Sequence, residues 1–319
     1  MVNIKDIAKL AGVSVTTVSR VLNNYPYISD EKKAAVLKAV QMTDYQQNMN
    51  AVSLRTGHTS LIGVVLPFSH HPYFGLLLNG IANEAIKHNH KLLLFQTNYE
   101  VEKEIEALRM LKEKRIDALI FCSRTCDWPI IQEYFPYGKI VLCEKIRDGS
   151  VSSTFVDHYK TFMGALDYLY DKGHRKIGYC IGRRSGTNSL DREAAYKDFI
   201  TKHNLPFHSD YIYDHCLTFE DSIKVINKVK ESNNPPSALL VTSDQTAAGI
   251  VTCCQKETIS IPEDLALIGF DNQPIAKMMN ITTFDIPYKE IGKKVFLQAI
   301  KDEISQEEIT ATFIERNTV

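Results

Sequence analysis

The sequence predicts a small all-α head followed by a two-lobed α/β body. Three observations predict it. The first 45 or so residues carry three short helical segments separated by capping signals. From Leu61 onward, continuous apolar runs alternate with stretches of helical periodicity, the mark of parallel strands joined by crossover helices. That alternation runs through twice in series, which makes two lobes with a cleft between them.

The chain has 319 residues, 44% hydrophobic and 24% charged, enough for a sizeable core and about two domains. Lys and Arg number 37 against 38 Asp and Glu, a net charge of −1. This excludes a wholly basic nucleic-acid coat and a disordered polyampholyte. No apolar run is long enough for a membrane span. Lys5, Asp6, Lys9 and Arg20 interrupt the N-terminal stretch, unlike a secretory signal. The seven cysteines (Cys122, Cys126, Cys143, Cys180, Cys216, Cys253 and Cys254) are odd in number, irregularly spaced and without C-x-x-C. Neither a disulfide framework nor a zinc site is expected, and reduced thiols fit a cytoplasmic protein. No cofactor or metal is expected.

The charge is uneven. Residues 1–57 carry +3 and the remainder −4, so contact with a polyanion falls to the head. Ile4–Ala11 reads as a helix with Ile7, Ala8 and Ala11 on one face. Gly12 suits its C-terminus, and Val13 is the apolar turn residue. Ser14 caps a second helix, Val15–Asn23, whose inner face is Val18, Val21 and Leu22. Its outer face shows Thr16, Thr17, Ser19, Arg20 and Asn23. This is a helix-turn-helix pattern, and short polar residues followed by Arg suit a helix entering the major groove. A helical hairpin that binds nothing fits the same pattern. Ser29-Asp30 caps a third helix, Glu31–Met42, with Val36, Leu37 and Val40 inward. Residues 48–54 make a short polar helix, marginal alone, that needs a partner such as the same segment of a second subunit on DNA. The division is 1–46 head, 47–59 hinge and linker, 60–319 body.

In the body, strands are expected at Leu61–Leu66, Lys91–Phe95, Ala118–Cys122 and Lys139–Cys143, then at Ile177–Ile181, Ala238–Thr242 and Ala266–Phe270. Helices are expected at Phe74–His88, Val101–Lys114, Phe162–Lys172, Arg192–His203, Ser222–Glu231, Gln245–Glu257 and Tyr288–Ile300. Polar groups at strand ends favour a ligand in the cleft over two purely structural lobes. No phosphate loop or nucleophile elbow occurs, which counts against a nucleotide-dependent enzyme or hydrolase. His70-His71 reads as solvated loop, and Trp128-Pro129 and Pro235-Pro236 as turns.

The contiguous run Ile4-Lys5-Asp6-Ile7-Ala8-Lys9-Leu10-Ala11-Gly12-Val13-Ser14-Val15-Thr16-Thr17-Val18-Ser19-Arg20-Val21-Leu22-Asn23 resembles the N-terminal signature of the lactose/galactose repressor (LacI/GalR) family. Asn48, Ala51 and Leu54 continue the resemblance. So do Ile62-Gly63-Val64-Val65-Leu66-Pro67, Gly173-His174-Arg175-Lys176-Ile177, Ser243-Asp244 and Ile268-Gly269-Phe270-Asp271. Catabolite-control-like regulators of Gram-positive bacteria are the most similar branch. The resemblance implies a periplasmic-binding-protein-like effector domain and a homodimeric, non-enzymatic DNA-binding regulator. A repressor of carbohydrate-related genes on a pseudo-palindromic operator is expected. It implies that Val15, Thr16 and Arg20 read bases, that Ser14, Thr17, Ser19 and Asn23 touch phosphates, and that Ala51 and Leu54 belong to a hinge whose leucine wedges the minor groove. Gln47 stands where family hinges often carry proline.

For the cleft, the resemblance implies Asp157, Arg192, Ser243 and Asp271 as polar effector contacts and Phe219 as an aromatic one. Phe68 and Phe74 flank the first strand's exit. Carboxylates and Arg bond sugar hydroxyls, and an aromatic face stacks on a ring, which suits a sugar or sugar phosphate. Asp157 and Asp271 have a rival role as helix caps, and Arg192 as a lobe-spanning ion pair. Cys122 and Ile286 replace polar residues common in relatives. A second effector class is the serine-phosphorylated phosphocarrier protein HPr, docking on Tyr288–Ile300. There Lys293, Lys294 and Lys301 supply charge, but Leu297 holds the expected Arg position. A sugar receptor without DNA activity is the rival from another class.

Overall fold

Asn3 opens the first helix with a capping box. Its side chain accepts from the Lys5 and Asp6 amides, and Asp6 accepts from the Asn3 amide. A computed structural model describes residues 2–23, 25–46 and 57–319, which form two units, Met1–Thr59 and Ser60–Val319. Expectations for Ala51 and Leu54 lie outside the described residues.

In the first unit, α1 (Ile4–Ala11) ends at Gly12, whose φ of 64° is a conformation that costs glycine little. Helix α2 (Val15–Leu22) follows, and α3 spans Asp30–Thr43. Ile7, Ala8, Val18, Val21, Val36 and Ala39 form the core. Two expectations are corrected. Asn23 is the C-cap of α2 rather than its last turn. Leu37 is exposed, and Ala39 takes the inward position beside Val36. Apolar residues ring much of α3, so its periodicity left the inner face open, and close packing on α1 selects the small side chain.

In the second unit, β1 (Leu61–Leu66), β2 (Lys91–Gln96), β3 (Ala118–Phe121), β4 (Lys139–Leu142), β5 (Ser152–Phe155) and β11 (Gln306–Glu308) build one sheet. Its order is β11-β5-β4-β3-β1-β2, parallel throughout. Helices α4 (Pro72–Lys87), α5 (Val101–Lys112) and α12 (Tyr288–Ile300) belong to this lobe. The second lobe has the parallel order β7-β6-β8-β9, from Ile212–Tyr213, Ile177–Cys180, Ala238–Val241 and Ala266–Ile268. Its helices are α7 (His158–Asp171), α8 (Thr187–Lys202), α9 (Phe219–Glu231), α10 (Asp244–Lys256) and α11 (Pro274–Met278). An antiparallel ribbon pairs β10 (Thr283–Asp285) with β12 (Thr312–Ile314).

Several elements escaped the sequence reading, among them β5, the short strands β7, β10, β11 and β12, and helix α11. Strand β5, Ser-Ser-Thr-Phe, is polar yet buried, because Gln298 of α12 bonds the Thr154 hydroxyl at 3.1 Å and the Ser153 carbonyl at 3.2 Å. Trp128-Pro129 opens a short helix, α6 (Trp128–Gln132), with proline in the first turn where no amide donor is needed. Helices α4 and α12 cross at Gly80 and Gly292. A Cβ on Gly80 would stand 2.1 Å from the Lys289 carbonyl oxygen, and one on Gly292 2.2 Å from that of Leu77. Among the described residues, no helix is long and apolar enough to cross a membrane.

Candidate functional site

On the head, capping decides what α2 can present. The Ser14 hydroxyl accepts from the Thr17 amide at 3.1 Å and lies 2.9 Å from the Thr17 hydroxyl. Asn23 donates to the Ser19 carbonyl at 2.5 Å. Ser14, Thr17, Ser19 and Asn23 are thus tied to the helix ends, with Thr17 and Ser19 half-buried. Val15, Thr16 and Arg20 are exposed. The Arg20 guanidinium lies 5.3 Å from the centre of the Tyr25 ring.

In the body, a cavity of about 120 Å³ lies between the lobes, at the C-terminal ends of both sheets. This is where open α/β sheets place ligands. Arg192 on α8 enters it. Its Nη2 donates to His158 Nδ1 at 3.1 Å, and its Nε is buried without a partner. Burial, with Arg192 alongside, holds His158 well below the ordinary imidazole range, so it is a neutral acceptor at pH 7. Burial likewise brings His71 down to about 4, helped by His70. His71 Nδ1 and Ser243 Oγ are also buried and unpartnered.

Asp271 follows β9 with φ of 100°, a conformation that costs a non-glycine residue about 1–3 kcal/mol. Its carboxylate accepts from the Tyr288 hydroxyl at 2.6 Å and from Gln273 at 3.0 Å. Burial raises its pKa to about 6, opposed by the Tyr288 bond and by Arg192. The wall therefore carries arginine, carboxylate and hydroxyl donors and acceptors beside Tyr73, Phe74 and Tyr99. Such a set bonds a small polyol from several sides.

Phe74, Arg192, Ser243 and Asp271 line the cavity as the sequence expected; Phe68, Asp157 and Phe219 do not. Asp157 caps α7 through the Lys160 amide at 2.9 Å and pairs with Lys145 at 3.1 Å. Phe219 begins α9, is 44% exposed, and sits over the contact with α10 at Gly249. Phe68 packs edge-on behind Tyr99, ring centres 5.3 Å apart. His71 is cavity wall rather than solvated loop. Cys122 and Ile286 lie in the core, off the cavity wall. The sequence reading missed Tyr73, Tyr99, Glu144, His158, Arg183 and Tyr288. Tyr99, Glu144 and Arg183 each lie within three residues of a strand's C-terminus, so that position held the unused signal.

Residues 3–48 match the family described as "Bacterial regulatory proteins, lacI family". Residues 59–317 match "Periplasmic binding proteins and sugar binding domain of LacI family". The chain belongs to the LacI family. It is a transcriptional regulator with a sugar-binding-type effector domain, not an enzyme. A protein of Bacillus subtilis (strain 168) described as the uncharacterized HTH-type transcriptional regulator YkvZ is 40% identical, with both chains covered in full. Catabolite control protein B of the same organism is 34% identical over 95% of this chain and 96% of its own. A LacI-family regulator of Lactobacillus casei solved with bound glucose shares the fold at a TM-score of 0.74. It is 24% identical, over 81% of this chain and 99% of that one.

Proposed function

We propose that this regulator binds a pseudo-palindromic operator as a homodimer, represses carbohydrate-related genes, and responds to a sugar or sugar phosphate held between its lobes. The observation that carries the effector reading is the convergence of Arg192 Nε, His71 Nδ1 and Ser243 Oγ on one cavity. Buried polar atoms without partners are costly, and a polyol would satisfy them together. Phe74 and Asp271 complete the contacts.

On the DNA side, Val15, Thr16 and Arg20 read bases, while Ser14, Thr17, Ser19 and Asn23 approach phosphates. Ala51 and Leu54 are assigned to the hinge by the sequence alone. Self-association is supported by exposed Phe219 and Ile223, one turn apart on α9, and by exposed Met278. The effector acts only through different affinities for the DNA-competent and incompetent states.

Control by serine-phosphorylated HPr has less support. Lys293 lies 3.5 Å from Glu290 and Lys294 pairs with Glu307. Leu297 packs against the core. The deciding experiment is a thermal-shift screen of the full chain with sugars, sugar phosphates and phosphorylated HPr. A ligand at 100 times its Kd adds about 2.7 kcal/mol. A shift with the phosphoprotein alone overturns the cavity reading.

A further inference from the structure

Two arginines reach across the cavity rim in opposite directions. Arg183 follows β6 in the second lobe. It donates to Thr125 Oγ1 at 2.9 Å, Ser123 Oγ at 3.1 Å and the Arg124 carbonyl at 2.8 Å. All three acceptors sit on the loop after β3 in the first lobe. Its guanidinium also lies 3.9 Å from the centre of the Tyr99 ring, again in the first lobe. Arg124 answers from that loop, donating to Thr187 Oγ1 of α8 at 3.1 Å and pairing with Glu144.

The receiving loop is itself held in place. Buried Glu104 on α5 accepts from the Thr125 amide at 2.8 Å and from the Cys126 amide at 2.7 Å. On the other side, a Cβ at Gly186 would stand 2.6 Å from Arg183 Nη2, so the bare backbone makes room for the guanidinium. A planar fork with several fixed donors suits a cluster of neutral oxygens that an ammonium could not span. None of these contacts needs an effector.

We propose that Arg183 is a gatekeeping and positioning residue of the cavity. Its contacts bolt the two lobes together with no effector bound, and a ligand reaches Arg192 and Asp271 only when the Arg183 contacts open. The ligand half of this statement rests on the effector reading above; the bolt does not.

Cys216 provides a reporter that needs no ligand. It lines the cavity and is 4% exposed, while a bond from Cys180 lowers its pKa. Cys254 is buried in the second lobe away from the cavity wall. The test is iodoacetamide alkylation of the full chain without sugar, read cysteine by cysteine by peptide mass spectrometry. In Arg183→Ala, Cys216 is expected to react about tenfold faster, the effect of losing charge-assisted hydrogen bonds, while Cys254 stays protected. Arg183→Lys should fall between wild type and Ala. The double variant Ser123→Ala, Thr125→Ala leaves Arg183 in place and should show the same rise. Unchanged Cys216 reactivity in both Arg183→Ala and the double variant overturns the proposal. So does a parallel rise at Cys254, which would mean general loosening rather than opening. A failed sugar screen would not alter either outcome.

Discussion

Tyr288, the first residue of α12 in one lobe, donates a 2.6 Å hydrogen bond to Asp271, which follows β9 in the other. The bond joins the lobes, and both partners are buried. Tyr288→Phe leaves one oxygen of a buried carboxylate without its donor. The expected cost is about 1–3 kcal/mol. It should be larger at pH 8, where Asp271 is ionised, than at pH 5. Urea denaturation at the two pH values measures it, and equal losses would mean that the bond does not stabilise the carboxylate.

Asp271 and Asp244 also set a pH dependence. Burial raises Asp244 to about 8, with Asp271 adding repulsion and bonds from Thr283 and the Gln273 amide opposing. A carboxyl group whose folded pKa lies above its unfolded value of 3.8 favours folding when protonated. That contribution is complete below about pH 4. It fades as pH rises through about 6 for Asp271 and about 8 for Asp244. Asp244→Asn removes the second part. Its melting temperature should gain on wild type between pH 5 and pH 8; a constant difference would show that Asp244 is ionised throughout.

The crossing of α4 and α12 leaves no room for a methyl group. Gly80→Ala drives Cβ into the Lys289 carbonyl, which is backbone and cannot rotate away. Overpacking of this kind costs about 1–3 kcal/mol, visible as a lower urea midpoint at unchanged slope. A variant as stable as wild type would show that the helices separate freely.

Asp157 separates capping from ligand contact. Asp157→Ala should cost about 1 kcal/mol through the lost cap of α7. Its thermal shift with any sugar that stabilises wild type should be unchanged. A lost shift would restore Asp157 to the effector contacts.

Arg20 carries the DNA reading most directly. Arg20→Ala should weaken binding to a selected operator by about 1–3 kcal/mol, with a smaller loss on random duplex. Fluorescence anisotropy at fixed salt compares the two. Equal losses would reduce Arg20 to a phosphate contact.

Local chemistry determined much of this protein. Gly12, Ser14 and the spacing of Ile7, Val18 and Val21 specified the helix-turn-helix, because caps and helical faces depend on residues within a few positions of one another. Apolar runs such as Leu61–Leu66 specified buried parallel strands for the same reason. The twenty residues from Ile4 to Asn23 also carried the family. What no local pattern contained was the choice among residues of equal character. Phe74 and Phe219 are both aromatic, yet only Phe74 lines the cavity; Asp157 and Asp271 are both acidic, yet one caps a helix and the other faces Tyr288. Ser152–Phe155 is polar and gave no strand signal, because its burial depends on Gln298, over 140 residues away. Arg183 stands just past a strand's end, but its partners on the loop after β3 are set only when that loop stands opposite it. Those assignments were made by tertiary packing, within one lobe for Gln298 and between the lobes for Asp271 and Arg183, since such partners come from chain segments that only the folded structure brings within hydrogen-bond reach.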